Sequence, residues 1–280
     1  MKQLTLELFL QFFGISAASG IIYNNDYLQF ISDDANILYT YDIKKESLSK
    51  NSLLSDLSLQ ENIAKPIKKD FEAIATDGEH YFLFGSGSTT NRKELIELDV
   101  NTKELIATHD LDVLYESMKS FAQIGDEDFN IEGVVVNGET WYFFNRGNGP
   151  ATANGVFTVT AKNLLDDFNI VYNPIELPKI DNHQTSFTDA VLVENKLYFI
   201  ATAEKTSSTY HDGEIAGSII GRINPKKMKL EKAKQISFTN KFEGLSLYRK
   251  EGKNLEFLLC EDPDNPETKT TSIYKLSFKN

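Results

Sequence analysis

Phe71-Glu72-Ala73-Ile74, Ile131-Glu132-Gly133-Val134 and Phe242-Glu243-Gly244-Leu245 are three copies of one stretch, and their reading decides the fold. Two weaker copies are Ala18-Ser19-Gly20-Ile21 and Phe187-Thr188-Asp189-Ala190. Each opens an apolar, strand-like run. A turn and a second apolar run follow: Leu28–Ile31, Tyr81–Phe84, Trp141–Phe144, Leu197–Ile200 and Phe257–Cys260. In the first four copies the polar residue and the residue after the second run are 13 apart: Ser19 and Ser32, Glu72 and Gly85, Glu132 and Asn145, Thr188 and Ala201. The turn of the fifth copy is longer. A fixed internal offset recurring every 53 to 60 residues marks a repeat architecture.

Working outward, each repeat fills with strands. Ile37–Ile43 is a third strand of the first repeat, and 44–69 holds a fourth strand and a connection. The second repeat passes through Asp77-Gly78 and adds Leu95–Val100 and Glu104–Thr108. Leu111–Ser120 reads as a short helix in the connection. The third repeat adds Gly155–Thr160; the fourth adds Gly217–Asn224 and Lys232–Ser237. The fifth has only three strands, ending with Ser272–Phe278. The chain meanwhile begins with a strand that belongs to no repeat: Leu4, Leu6, Leu8 and Leu10 alternate with Thr5, Glu7, Phe9 and Gln11. A propeller closes when one terminus supplies the missing outer strand of the last blade. The expectation is therefore an all-β, five-bladed β-propeller spanning 1–280. Its blades lie near 15–60, 68–110, 128–178, 184–238 and 240–280, and strand 3–13 closes the ring. The competing reading is six blades, with a degenerate one in 44–69.

Composition bounds the partners. The formal charge is −12 over 280 residues, a field that repels nucleic acid and anionic membrane surfaces. Anionic ligands then require a metal or a local Arg cluster to invert the sign. Glu7 and Gln11 interrupt the first apolar stretch and only Lys2 adds positive charge, so it reads as strand rather than signal peptide. The expected location is cytoplasmic and the expected state monomeric. One cysteine, Cys260, excludes an intrachain disulfide and reads as packing.

In a propeller the first strand of each blade lines the axis. Ser19, Glu72, Glu132, Thr188 and Glu243 should then ring one mouth. The loops after each second strand should surround it: Ser32-Asp33-Asp34, Gly85 to Arg92, Asn145 to Gly149, Ala203-Glu204-Lys205 and Glu261 to Asp264. Three converging glutamates either take up protons or bind a cation. Hard oxygen donors without His or Cys select Ca²⁺.

That register over five blades resembles the calcium-activated nucleotidase (apyrase) family. So do Ser32-Asp33-Asp34 after the second strand, Trp141 to Arg146, Leu197 to Lys205, and Lys241 to Leu245. The resemblance implies a central Ca²⁺ held by Ser19, Glu72, Glu132, Thr188 and Glu243, with Thr188 in place of the family's serine. The strand openings are also similar to those of phytase-like and esterase-like bacterial propellers. The activity implied is calcium-dependent hydrolysis of phosphate anhydrides or esters. Arg146 and Arg92, with Lys205, would bind a small anionic substrate. Asp33, Asp34 and Arg146 would be catalytic, an aspartate placing water or a second cation. The rival is a non-catalytic propeller riveted by calcium whose mouth binds a ligand or protein.

Other signals carry less. Gly85-Ser86-Gly87 and Gly147-Asn148-Gly149 do not open helices and lack a third glycine. Asp126 to Asn130 starts like an EF-hand, but Ile131 stands where glycine is needed. There is no Gly-x-Ser-x-Gly elbow. Paired carboxylates for glycoside hydrolysis have no fixed separation in the sequence. His80, His109, His183 and His211 show no ligand spacing and read as surface or turn histidines.

Overall fold

A computed structural model describes residues 1–205, 214–263 and 269–280. Five antiparallel sheets form a five-bladed β-propeller. Blade 1 is β2 (Ala18–Asn24), β3 (Tyr27–Ser32), β4 (Ile37–Asp42) and β5 (Ser47–Ser52); blade 2 is β6 (Phe71–Thr76), β7 (His80–Gly85), β8 (Glu94–Asp99) and β9 (Leu105–Asp110). Blade 3 is β10 (Ile131–Asn137), β11 (Thr140–Asn145), β12 (Gly155–Ala161) and β13 (Phe168–Pro174). Blade 4 is β15 (His183–Val193), β16 (Lys196–Glu204), β17 (Ile215–Asn224) and β18 (Lys229–Ser237), with the two-residue β14 (Lys179–Ile180) beside β15. Blade 5 is β19 (Phe242–Glu251), β20 (Asn254–Glu261) and β21 (Thr270–Lys279), completed by β1 (Lys2–Phe13).

The closing strand pairs antiparallel with β21, from Lys2↔Lys279 to Phe13↔Thr270. Residues 53–70 contain no strand, so there is no sixth blade. The expected helix runs Asp112–Ala122 and buries Leu114, Tyr115 and Met118 over blades 2 and 3. No helix among the described residues is long and apolar enough to cross a membrane.

The second strands are the most apolar, and they bury both faces between neighbouring blades. Phe84, Phe143, Phe144 and Phe199 are fully buried, and edge-to-face pairs such as Phe84–Phe143 (5.4 Å) and Phe144–Phe187 (5.2 Å) link neighbouring blades. Cys260 is buried in the blade 5 and blade 1 layer, and burial pushes its thiol pKa up, which suits packing rather than reactivity.

Candidate functional site

In all five blades the ladder between first and second strands skips one residue. The register jumps across Ser19, Glu72, Glu132, Thr188 and Glu243. Each ring residue is thus the extra residue of a β-bulge, the device that re-aims a side chain. The sequence repeat is this bulge. First strands pack tightly here: a Cβ on Gly133 would lie 3.0 Å from Asp189 Cα, and one on Gly244 2.5 Å from Cys260 Sγ. Asp189 occupies the matching position in blade 4. Its carboxylate accepts from the backbone N–H of Leu245 (2.6 Å) and Ala190 (2.7 Å), and burial raises its pKa.

The ring does not assemble as one ligand set. Thr188 Oγ1 donates to Phe242 O at 2.6 Å, and Ser19 Oγ donates to Phe71 O at 2.6 Å. Each hydroxyl ties its blade to the residue preceding the next blade's glutamate. Ser19 still borders the axial cavity, whereas Thr188 is absent from its lining. Thr188→Val should cost about 1 kcal/mol in denaturant unfolding and leave calcium affinity unchanged by calorimetry. A variant that loses calcium binding would restore Thr188 as a ligand.

The cavity at this mouth holds about 380 Å³ and is lined by eight carboxylates and five cationic side chains. It divides into two charge clusters. On the blade 3 to 5 side, Arg146 Nη1 reaches both oxygens of Glu132 at 3.2 Å and lies 3.6 Å from Glu243, while Nη2 bonds Glu204. Lys241 Nζ lies 3.1 Å from Glu243 and 3.7 Å from Asp262. Positive charge at the axis is therefore supplied by the chain, where a central calcium was expected. Arg146 is spent on carboxylates, not held free for phosphate. Glu132, which also accepts from Asn130 Nδ2 at 2.6 Å, is pushed up to about 8 by burial against the pull of Arg146. Among the described residues, Arg146 and Lys241 are the cations that these carboxylates share.

On the blade 1 and 2 side, Lys68 bonds Asp33 and lies 2.7 Å from Asp70. Asp70 also accepts from Arg92 Nη1 (2.7 Å) and Ser86 Oγ (2.5 Å). Arg92 continues to Ser88 Oγ (3.0 Å) and Lys65 O (3.1 Å), so it too is committed inside the protein. Asp34 accepts from Ser32 Oγ at 2.6 Å. Lys205 is exposed, pairs with Glu214 at 2.6 Å and lies outside the cavity lining. Asp264 and His211 fall outside the described residues.

One carboxylate differs from the rest. Glu72 has no hydrogen bond or ion pair among the described residues, yet burial, and then Glu132, Asp70 and Asp33, hold its pKa well above the usual range. Its carboxylate and those of Asp33 and Asp70 offer oxygens all within 4.8 Å of one another. Of the five expected ligands only Glu72 belongs to this group. Lys68, Asp70, Asn130 and Lys241 were not singled out from sequence. Asp70, Asn130 and Lys241 each precede a ring glutamate by two, and a strand period of two places them toward the same mouth.

Solved structures share the fold at low identity. The chain is similar to a Myxococcus xanthus glutaminyl cyclase (TM-score 0.55, 9% identity, covering 98% of this chain and 97% of that one). It is also similar to the Malassezia sympodialis allergen Mala s 1 (0.56, 10%, 92% of each) and to a luciferin-regenerating enzyme (0.50, 9%, 98% and 95%). At these identities the likeness is one of fold. No curated protein matches the sequence. Residues 14–278 match the family of unknown function DUF6929, and the chain belongs to that family.

Proposed function

We propose that the axial cavity binds a divalent cation at Asp33, Asp70 and Glu72 and hydrolyses small phosphate anhydrides or esters. Glu72 carries the reading: a carboxylate turned to the cavity, within 4.8 Å of two others, that no donor satisfies. An all-oxygen donor set suits a hard ion, Ca²⁺ or Mg²⁺. Lys68 bonds Asp33 and Asp70, and its flexible stem would let it withdraw from an entering ion.

Without added charge, eight carboxylates against five cations repel phosphate. A dication held by Asp33, Asp70 and Glu72 would reverse the local sign and supply Lewis-acid chemistry toward a phosphoryl oxygen. The chain's own residues divide the remaining work. Asp34, fixed by Ser32, orients the attacking water. Glu132, protonated up to about pH 8, gives its proton to the leaving oxygen. Arg146 and Lys241 hold Glu132, Glu204 and Glu243 in place.

Glu72→Gln should lower cation affinity by at least about 100-fold with little change in melting temperature, since no hydrogen bond is lost. Calorimetry with Ca²⁺ and Mg²⁺, and turnover of nucleotides and p-nitrophenyl phosphate with and without chelator, measure both halves. No cation binding and no chelator-sensitive turnover would sink the proposal. Binding without turnover would leave the rival, a cation-stabilised binding module.

A further inference from the structure

We propose that the substrate of the axial cavity is a sugar or polyol phosphate whose hydroxylated part lies in a second cavity between blades 3 and 4. The proposal rests on the phosphohydrolase reading of the axial site and names its substrate class. The second cavity holds about 230 Å³ and adjoins the first, since Arg146, Asn148 and Glu204 line both. Its other walls are the loop after β11, the hairpin of β14 and β15, and the end of β16, which places it at the same mouth. At about 30 Å³ per water the space equals roughly eight waters, enough for one sugar ring and too small for a polymer. The lining decides the chemistry. Every described residue that borders this cavity is polar or glycine, with no aliphatic, Phe, Tyr or Trp side chain among them. An aryl or alkyl group placed there would strand donors and acceptors, whereas hydroxyls satisfy them.

Ser186 carries the inference. It stands two residues before the ring residue Thr188, as Asp70, Asn130 and Lys241 stand before Glu72, Glu132 and Glu243. Those three line the axial cavity, and Ser186 lines the neighbouring one. It is only 4% exposed, yet its hydroxyl makes no hydrogen bond among the described residues. Thr202, opposite it on the ladder, shows the contrast, because its hydroxyl is already paired with that of Ser218 at 2.8 Å. A buried hydroxyl without a partner calls for water or a ligand. The side chains of Lys179 and His183, on the same wall, likewise make no hydrogen bond or ion pair among the described residues. A sugar hydroxyl accepts from Lys179 and exchanges hydrogen bonds with Ser186 and neutral His183, each of which both donates and accepts. In the hydrolysis, the oxygen of water bonds to phosphorus and the bond from phosphorus to the sugar oxygen breaks. That oxygen leaves with the proton of Glu132, and a proton of the attacking water restores it.

Calorimetry of the full chain in Ca²⁺ or Mg²⁺ tests the proposal, with inorganic phosphate, p-nitrophenyl phosphate, ribose 5-phosphate and glucose 6-phosphate as probes. At least one sugar phosphate should bind about 10-fold or more tightly than inorganic phosphate and p-nitrophenyl phosphate. Ser186→Ala and His183→Ala should each remove about 3–10-fold of that advantage. Ser186→Ala should also keep the wild-type melting temperature, since no internal hydrogen bond is lost. Sugar phosphates that bind no more tightly than inorganic phosphate, or an advantage that survives both substitutions, overturn the second cavity and leave the phosphohydrolase reading standing. Absence of cation-dependent binding of every phosphate overturns both.

Discussion

Replacing Arg146 by methionine is expected to lower stability by about 3–5 kcal/mol at pH 8, the cost of breaking a buried ion pair by removing one partner. At two or more degrees per kcal/mol, the melting temperature should fall by roughly 10 °C. The guanidinium is shared by Glu132, Glu204 and Glu243, all almost fully buried, and among the described residues the methionine leaves them Lys241. The deficit should depend on pH with a definite sign. Glu132 already has a folded pKa of about 8 against 4.5 for the unreacted group, and losing Arg146 raises it further. A carboxyl whose folded pKa is raised loses stability as pH climbs from the unfolded value toward the folded one. The variant should therefore lie closer to wild type at pH 5 than at pH 8. Adding Glu132→Gln should recover part of the loss, because one buried charge is removed from a shared network. Lysine at 146 should rescue incompletely, since it cannot reach both oxygens of Glu132 and Glu204 as a fork. Melting curves at the two pH values decide the matter. Equal deficits at both, or none, would mean that Arg146 is not the counter-ion of the ring.

Deleting residues 1–13 is expected to open the ring and destabilise the whole propeller. The strand β1 is the outer strand of blade 5 and also its latch to blade 1. Phe12 stacks on Phe30 at 5.0 Å and meets Tyr41 edge-on at 5.0 Å, while Phe9 lies 5.6 Å from Tyr248. Removing Phe12 alone costs about 3–5 kcal/mol by the usual scale of buried aromatic truncation. The whole strand also carries the ladder to β21, whose loss bares an apolar edge that invites pairing between molecules. Size-exclusion chromatography should show aggregates, and a synthetic peptide of residues 1–16 should restore the elution volume of the intact chain by strand addition. A truncated chain that stays monomeric with an unchanged melting curve would show that the ring does not depend on this closure.

Much of the ring was legible in the sequence because a bulge leaves a countable trace. The extra residue in each first strand sets a constant distance to the end of the second strand, and Ser19, Glu72, Glu132 and Thr188 obey it. Closure was legible from a repeat with three strands and a strand without a repeat. What a side chain does at the mouth was not legible. Arg146 and Arg92 look like free anion receptors until the buried carboxylates that hold them are seen. Lys205 shares a loop with Glu204, yet only Glu204 turns toward the cavity. A strand start marks Glu72 and Glu243, whereas Asp70 and Lys241, two residues earlier and lining the same cavity, carry no such mark in the sequence.

The pairing of β1 with β21 sets a schedule for synthesis. From Phe13 to Thr270 the ribosome must add 257 residues before the partner exists, roughly 13–50 s at about 5–20 residues per second. For that interval a segment with leucines at 4, 6, 8 and 10 has no strand to pair with. Blades 1 to 4 have all their own strands and can collapse in turn as they emerge. Within the propeller, β1 is made before every other strand and paired after them, so the nascent domain spends most of its production time with one adhesive segment waiting.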